Sequence, residues 1–153
     1  MRQRSVWFLL VGLTACGTAA GRGYPLYPNP DHPRAPTEIA HLAGPISSVD
    51  GVNVADKGRT FVLLPGCHIV VSSTSVGGEG QGGWWSAHLP PYTWPFRMKA
   101  GHRYKIEVDR EDSSAPVFRV FINASEQDAT GARQPVAMAA SATDVDNCRN
   151  WAP

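Results

Sequence analysis

Five aromatic side chains fall within thirteen residues: Trp84, Trp85, Tyr92, Trp94 and Phe96. A flat ring exposed on a small domain can stack on a sugar or on a peptide proline, and Trp and Tyr dominate binding hot spots. Trp84, Trp85, Tyr92 and Trp94 therefore form the candidate ligand-binding set, beside a glycine-rich run and Pro90, Pro91 and Pro95. The competing use of such rings is core filling. That use claims Trp85 and Phe96, while Trp84 and Trp94 suit either place. Catalytic groupings are sparse by comparison. His32, His41, His68, His88 and His102 show no i, i+2 or i, i+4 pair of the kind that builds a local metal site, so no metal is expected. His68 and His102 each follow a glycine turn, where capping or packing is the ordinary role. There is no G-x-S-x-G for a nucleophile elbow. The run Ser75 to Gly83 lacks the Gly-Lys-Ser/Thr ending of a phosphate loop. Glu107, Asp109, Glu111 and Asp112 could pair as acid and base. Their alternation with Lys105 and Arg110 instead describes a solvated strand end. No catalytic residue and no cofactor is expected. A small envelope hydrolase would need a pocket that joins a His to an acid or a Ser.

The N-terminus carries a different chemistry. Arg2 and Arg4 precede the apolar stretch from Ser5 to Leu13. Nine residues at ~1.5 Å each reach only about 14 Å, half of a hydrocarbon core of roughly 30 Å. The segment is too short to span a bilayer and reads as a secretory signal. Its end, Leu13-Thr14-Ala15-Cys16, resembles the lipobox of bacterial lipoproteins. The resemblance implies diacylglyceryl attachment at the Cys16 thiol, the most nucleophilic group available for alkylation, and cleavage after Ala15. It also implies a bacterial cell-envelope location, with Gly17 in place of Asp favouring the outer membrane and the domain facing the periplasm or cell surface. An acyl anchor holds through ~0.8 kcal/mol per buried CH₂. With Cys16 lipidated, Cys67 and Cys148 remain, and two leftover thiols in an exported chain read as one disulfide. It would close a loop of about 82 residues, for which chain entropy gives about 4.5 kcal/mol as an upper figure.

The elements that must position these residues can be read from punctuation and period. The domains expected are a signal peptide over 1–15, a lipidated Pro-rich tether over 16–36 and a folded domain over 37–153. Five of the 13 prolines lie in the tether (Pro25, Pro28, Pro30, Pro33, Pro36), which suits an extended spacer. Tyr24 and Tyr27 could still pack back onto the domain. Thr37 to Ala43 reads as a strand broken by Gly44-Pro45. Ile46 to Val54 around Asp50-Gly51 reads as a hairpin. Arg59 to Leu64, a Pro65-Gly66 turn and Cys67 to Thr74 are the firmest strands by β-branched content. Ser75 to Gly83 contains five glycines and reads as a flexible loop. Strand character returns at Phe96 to Lys99. His102 to Val108 alternates so that Tyr104, Ile106 and Val108 face inward. Val117 to Ile122 forms a last strand, and Ala-rich Pro135 to Ala142 suits a helical turn or two. The fold class is all-β, a small antiparallel β-sandwich or barrel.

Ile46 to Ser73, with Leu64-Pro65-Gly66-Cys67-His68 matching an L-x-G-x-H core, is similar to the PEGA-like β-sandwich repeats of bacterial surface proteins. Phe96 to Val108 looks like a second strand–Gly-turn–strand unit. The name-giving tetrapeptide of that family is missing, and Cys67 with a C-terminal partner is not part of its pattern. The similarity covers about a third of the chain. It implies a surface-associated, non-enzymatic module, an adaptor or carbohydrate-binding-like domain. Composition agrees with a small domain and narrows the partners. The chain has 153 residues, 42% hydrophobic and 18% charged, with a formal charge of +1. Removing Arg2 and Arg4 with the signal lowers Lys+Arg from 14 to 12 against 13 Asp+Glu, a charge of −1. Such a balance excludes the basic footprint of a nucleic-acid binder and a polybasic grip on lipid. The expected partners are the membrane, through the acyl anchor, and an envelope protein or glycan. The leading expectation is a lipid-anchored, non-catalytic binding or structural module of the envelope. The alternative is a carbohydrate-binding module that uses Trp84 to Trp94.

Overall fold

A computed structural model describes residues 23–80, 83–111, 119–137 and 141–150. Cys16, the signal segment and Asp112 lie outside these residues, as do Val117 and Phe118 of the expected last strand. The fold is all-β and sandwich-like. One sheet has six strands: β1 (Tyr24–Pro25), β2 (Ala40–Ala43), β5 (Thr60–Leu63), β10 (Arg103–Glu111), β11 (Arg119–Gln127) and β12 (Arg133–Pro135), in the order β1-β5-β2-β10-β11-β12. The second has four: β3 (Ile46–Val49), β4 (Val52–Asn53), β6 (Gly66–Ser72) and β9 (Tyr92–Met98), in the order β4-β3-β6-β9. A separate hairpin joins β7 (Ser75–Gly80) to β8 (Gly83–His88), and one helix, α1 (Ala142–Arg149), follows the sheets.

The Pro/Gly punctuation does two different jobs. Asp50-Gly51 makes the expected tight hairpin between β3 and β4, with φ of 50° and 81° at the two central residues. Gly44-Pro45, Leu64-Pro65 and Ala100-Gly101 instead mark the places where the chain leaves one sheet for the other. Gly44 has φ +143°, and a Cβ there would stand 2.6 Å from the Ile106 carbonyl oxygen, so no side chain fits this corner.

The core lies between the sheets. Leu42, Phe61, Leu63, Tyr104 and Ile106 of the six-stranded sheet meet Ile46, Val49, Val70, Trp94, Phe96 and Met98 of the four-stranded one. Each such side chain, once buried, contributes about 1.5–3 kcal/mol. Along β10 the period of two holds as expected: Tyr104 and Ile106 are buried and Val108 is partly buried against the core. Three expectations are corrected. Residues 24 and 25 lie in the segment expected as tether, yet they pair in parallel with Phe61 and Val62, and Leu26 N–H donates to the Val62 carbonyl at 2.8 Å. Ser75 to Gly80 of the glycine-rich run is strand rather than loop, because β7 pairs with β8 along its whole length. Of the Ala-rich segment from Pro135 to Ala142, residues 138–140 lie outside the described residues, and Pro135 to Ala137 are not helical. Residues 133–135 are strand, and the helix begins after Ser141, whose side chain and that of Asp144 form a reciprocal capping box.

The Cys67–Cys148 disulfide is present, with Cα atoms 5.3 Å apart and a sequence separation of 81. It fastens α1 against the start of β6. An eight-residue helix is too short to hold itself in water, so this bond and packing on β6 and β9 keep it in place.

Candidate functional site

The hairpin β7–β8 is an excursion between two strands that pair with each other. β6 and β9 are antiparallel neighbours over seven residue pairs, and the chain between them runs out through β7 and back through β8. Its register places Glu79 opposite Trp84, Gly77 opposite Ser86, and Ser75 opposite His88. Strand alternation puts these six residues on one face. All six are exposed, whereas Val76, Gly78 and Trp85 on the other face are half-buried. Trp84 is the most exposed large apolar side chain among the described residues, at 82%. It stands beside a carboxylate and over a strand that is half glycine, so nothing on β7 except Glu79 can crowd its ring. Gly77 is required there for a backbone reason. A Cβ on it would come within 2.8 Å of the Trp85 carbonyl oxygen.

The aromatic cluster therefore divides. Tyr92, Trp94 and Phe96 share one face of β9 at i, i+2 and i+4. Trp94 stacks on Tyr92 with centroids 5.8 Å apart and 10° between planes, and meets Phe96 edge-on at 6.4 Å. Phe96 in turn meets Tyr104 edge-on at 6.0 Å. Trp94 is 4% exposed, which corrects its place in the candidate ligand set: it faces the opposing sheet and fills the core. Phe96 is core, as expected. Trp85 is half-buried on the inner hairpin face rather than in the core, and Tyr92 is 46% exposed at the open end of the aromatic row. Of the four candidates, Trp84 and Tyr92 present open surface.

Ser75 and His88 are the hydroxyl–imidazole pair that the hydrolase alternative required. Ser75 Oγ and His88 Nδ1 are 2.6 Å apart at the base of the hairpin, on the rim of a groove of about 500 Å³ that also touches Arg59. Both residues are exposed, and among the described residues no carboxylate is paired with the other ring nitrogen. The arrangement is a cross-strand hydrogen bond, without the third group that orients a catalytic imidazole. A second groove of about 620 Å³ lies between the hairpin and the six-stranded sheet, lined by Val76 and Gly77 on one side and Lys105 and Glu107 on the other.

His68 and His102 hold turns. His68 Nδ1 is 2.7 Å from Asp50 Oδ2, and its Nε2 is 2.8 Å from the Leu64 carbonyl. Burial works against the His68 imidazolium, but the hydrogen bonds it donates to Asp50 and to the Leu64 carbonyl, with the Asp50 charge, outweigh it and hold its pKa above the ordinary value. Asp50 also accepts from the Ile69 N–H at 2.7 Å, and its own pKa is lowered despite the cost of burial. His102 lies at the opposite end, with Nδ1 2.7 Å from Glu126 Oε1. Glu126 is a buried carboxylate that also accepts from Tyr104 Oη at 3.0 Å and Gln134 Nε2 at 2.9 Å, with Lys99 Nζ at 3.3 Å. Burial alone would raise its pKa; the donors from Gln134, Tyr104, Lys99 and His102 bring it below the usual carboxylate value. Burial, with Glu126 alongside, pushes the Tyr104 hydroxyl up to about 12. Tyr104, Lys99 and His102 crowd Oε1, and Gln134 donates to Oε2.

Of the acid row, Glu107 and Asp109 are occupied, while the Glu111 side chain and Asp112 lie outside the described residues. Glu107 pairs with Lys105, and Asp109 accepts from Asn123 Nδ2 at 2.7 Å. Among the described residues no three His, Cys, Asp or Glu side chains converge as a metal site. Sequence reading missed Glu79, Ser86 and the Ser75–His88 pair, all of which depend on the hairpin register. Compared with protein-family models, with curated proteins and with solved structures, the chain matches nothing.

Proposed function

We propose that the chain is an exported bacterial lipoprotein, cleaved before Cys16 and held on the cell envelope by acyl chains on that residue. Its PEGA-like sandwich acts without catalysis, as a module that makes contact with an envelope protein or glycan. The observation that supports this reading is Trp84, 82% exposed on the outer face of a glycine-rich hairpin. A large apolar ring in water is costly to keep and is the usual anchor of a binding surface. The reading on Cys16 rests on the lipobox residues, and Gly17 directs it to the outer membrane. A photo-crosslinking residue at position 84 in intact envelopes tests the contact. The expected result is one dominant crosslinked species. Labelling no stronger than at an exposed position such as Val52 would remove the hairpin from the proposal. Mass spectrometry of the mature N-terminus tests the anchor: an unmodified Cys16, or a start elsewhere, would end it.

The glycan form of the reading has its own support. Opposite Trp84 stands Glu79, and along the same face lie the hydroxyls of Ser86 and Ser75. A ring face flanked by a carboxylate and hydroxyls suits a saccharide, whose C–H face stacks while its hydroxyls donate and accept. On a glycan array, Trp84→Ala should abolish binding and Glu79→Gln should weaken it by about tenfold. A flat response from the wild-type chain would leave the protein-contact form standing alone.

A further inference from the structure

On the outer face of the six-stranded sheet, away from the core, one register row crosses four strands: His41 on β2, Arg103 on β10, Gln127 on β11 and Arg133 on β12. The next row places Lys105 beside Ser125. These side chains line one cleft of about 250 Å³. Arg103 and Arg133 are exposed at its rims, and His41 is half-buried at its floor. Lys105 is answered by Glu107, but among the described residues no carboxylate lies within ion-pair distance of Arg103 or Arg133. Among the described residues the Ser125 hydroxyl likewise makes no hydrogen bond. Strands are spaced ~4.8 Å apart, so the two arginines start about 10 Å from each other and flank the strand between them. Unpaired cations gathered in this way are notable on a body whose balance without the signal arginines is −1.

We infer that this cleft is an oxyanion site that takes the phosphate group of a ligand, with Arg103 and Arg133 as its two forks and Ser125 and His41 as further donors. The planar guanidinium matches phosphate oxygens in pairs and is more weakly hydrated than an ammonium, so arginines are suited to holding such a group at a partly apolar surface. The site carries its own reporter. Burial, and then the charge of Arg103, hold the His41 pKa below the ordinary value. The other charges facing His41 on this sheet are Arg133 and Lys105 with its partner Glu107. An anion seated among them offsets Arg103 and raises the His41 pKa. The inference is independent of the hairpin: Trp84→Ala leaves it unchanged.

The test is an NMR titration of the full chain with inorganic phosphate, following the His41 ring resonances. Saturable binding is expected, with the His41 pKa rising as phosphate is added. Arg103→Gln and Arg133→Gln should each weaken it by about tenfold, the scale of a lost charge-assisted hydrogen-bond pair. Arg97→Gln removes the same charge from the other sheet and should leave the affinity unchanged. Two sources could supply the phosphate, and vesicles separate them. Binding to phosphatidylglycerol over phosphatidylcholine vesicles that is weaker in Arg103→Gln than in wild type assigns a lipid headgroup. The same phosphate affinity without such a vesicle difference assigns a soluble phosphate ester. Because these variants share one N-terminus, any contribution from it cancels. No saturable phosphate response, or an Arg97→Gln loss equal to that of Arg103→Gln, overturns the site and leaves only diffuse charge.

Discussion

Glu126 is buried with four side chains directed at its carboxylate, and this makes it the residue on which the lower end of the sandwich turns. Its pKa is lowered from 4.5, so its contribution to stability is complete above that value and is lost as the pH falls through the lower folded value. Glu126→Gln keeps the shape, removes the charge and leaves Lys99 and His102 facing an amide. Denaturant melts at neutral pH should show a loss of about 1–3 kcal/mol that shrinks toward pH 3. A loss of the same size at both pH values would show that the charge is not what matters. The Asp50–His68 pair carries the opposite sign. His68 is raised from 6.5, so its contribution is complete below 6.5 and is lost as the pH rises through the higher folded value. Asp50 occupies φ 50°, a conformation that Asn also tolerates, so Asp50→Asn isolates the charge from the turn. It should cost about 1 kcal/mol at pH 6, less at pH 8, and lower the His68 pKa in an NMR titration. At this scale the sequence was only partly readable. That His68 and His102 serve turns followed from the glycines before them, and the inward set on β10 followed from its period. Their acidic partners lie 18 and 24 residues away, Asp50 in the β3–β4 turn and Glu126 on β11, and no local pattern names them. The same holds for His41 and Arg133, which come to share a row with Arg103 only through strand pairing.

The hairpin β7–β8 shows why some elements could not be read. A strand is recognised from alternating side chains, and β7 has glycine at Gly77, Gly78 and Gly80, so its period is nearly blank. The register came instead from backbone pairing, and with it came the outer face that holds Trp84, Glu79 and Ser86. Gly77→Ala tests that face without touching any of those side chains. The added methyl meets the Trp85 carbonyl at 2.8 Å, so the strands must separate, and amide exchange across the hairpin should quicken by at least tenfold while the sandwich strands keep their protection. Uniform quickening would mean that the hairpin and sandwich unfold together. The helix went astray for the opposite reason. Alanine content pointed to residues 135–142, but the initiating signal is the Ser141–Asp144 capping box, which was present in the sequence and lies just beyond. Strands β5, β6 and β10 were legible because β-branched and alternating residues coincide with real burial. The disulfide was legible from the cysteine count. Cys148→Ser should cost about 2–4 kcal/mol in denaturant melts and expose the segment from 141 onward to protease before the sandwich is cut.

At the scale of the molecule, β1 bears on how far the domain would stand from a membrane under the proposed anchoring at Cys16. Were the whole of 16–36 a tether, the twenty residues after Cys16 would allow a reach of roughly 70 Å at ~3.5 Å each. Pairing of Tyr24–Pro25 with β5 leaves no more than the seven residues from 17 to 23 between Cys16 and the sheet, an upper bound of about 25 Å. With Cys16 lipidated as proposed, the six-stranded sheet is held by the strand nearest the anchor. Proline content could not reveal this, because a two-residue edge strand has no period and Pro25 is compatible with an edge. Neutron reflectometry of the lipidated chain on a supported bilayer measures the distance directly. Five residues inserted after Gly17 should move the domain outward by up to about 17 Å. The same insertion after Pro30, beyond β1, should leave the distance unchanged, because the chain there connects two strands of one sheet and no longer links the body to the lipid. Equal displacement by both insertions would mean that β1 leaves β5 at the membrane and that the tether runs on to Thr37. Displacement by the first alone fixes the domain close to the bilayer, where a partner must be met within a few tens of ångströms of the headgroups.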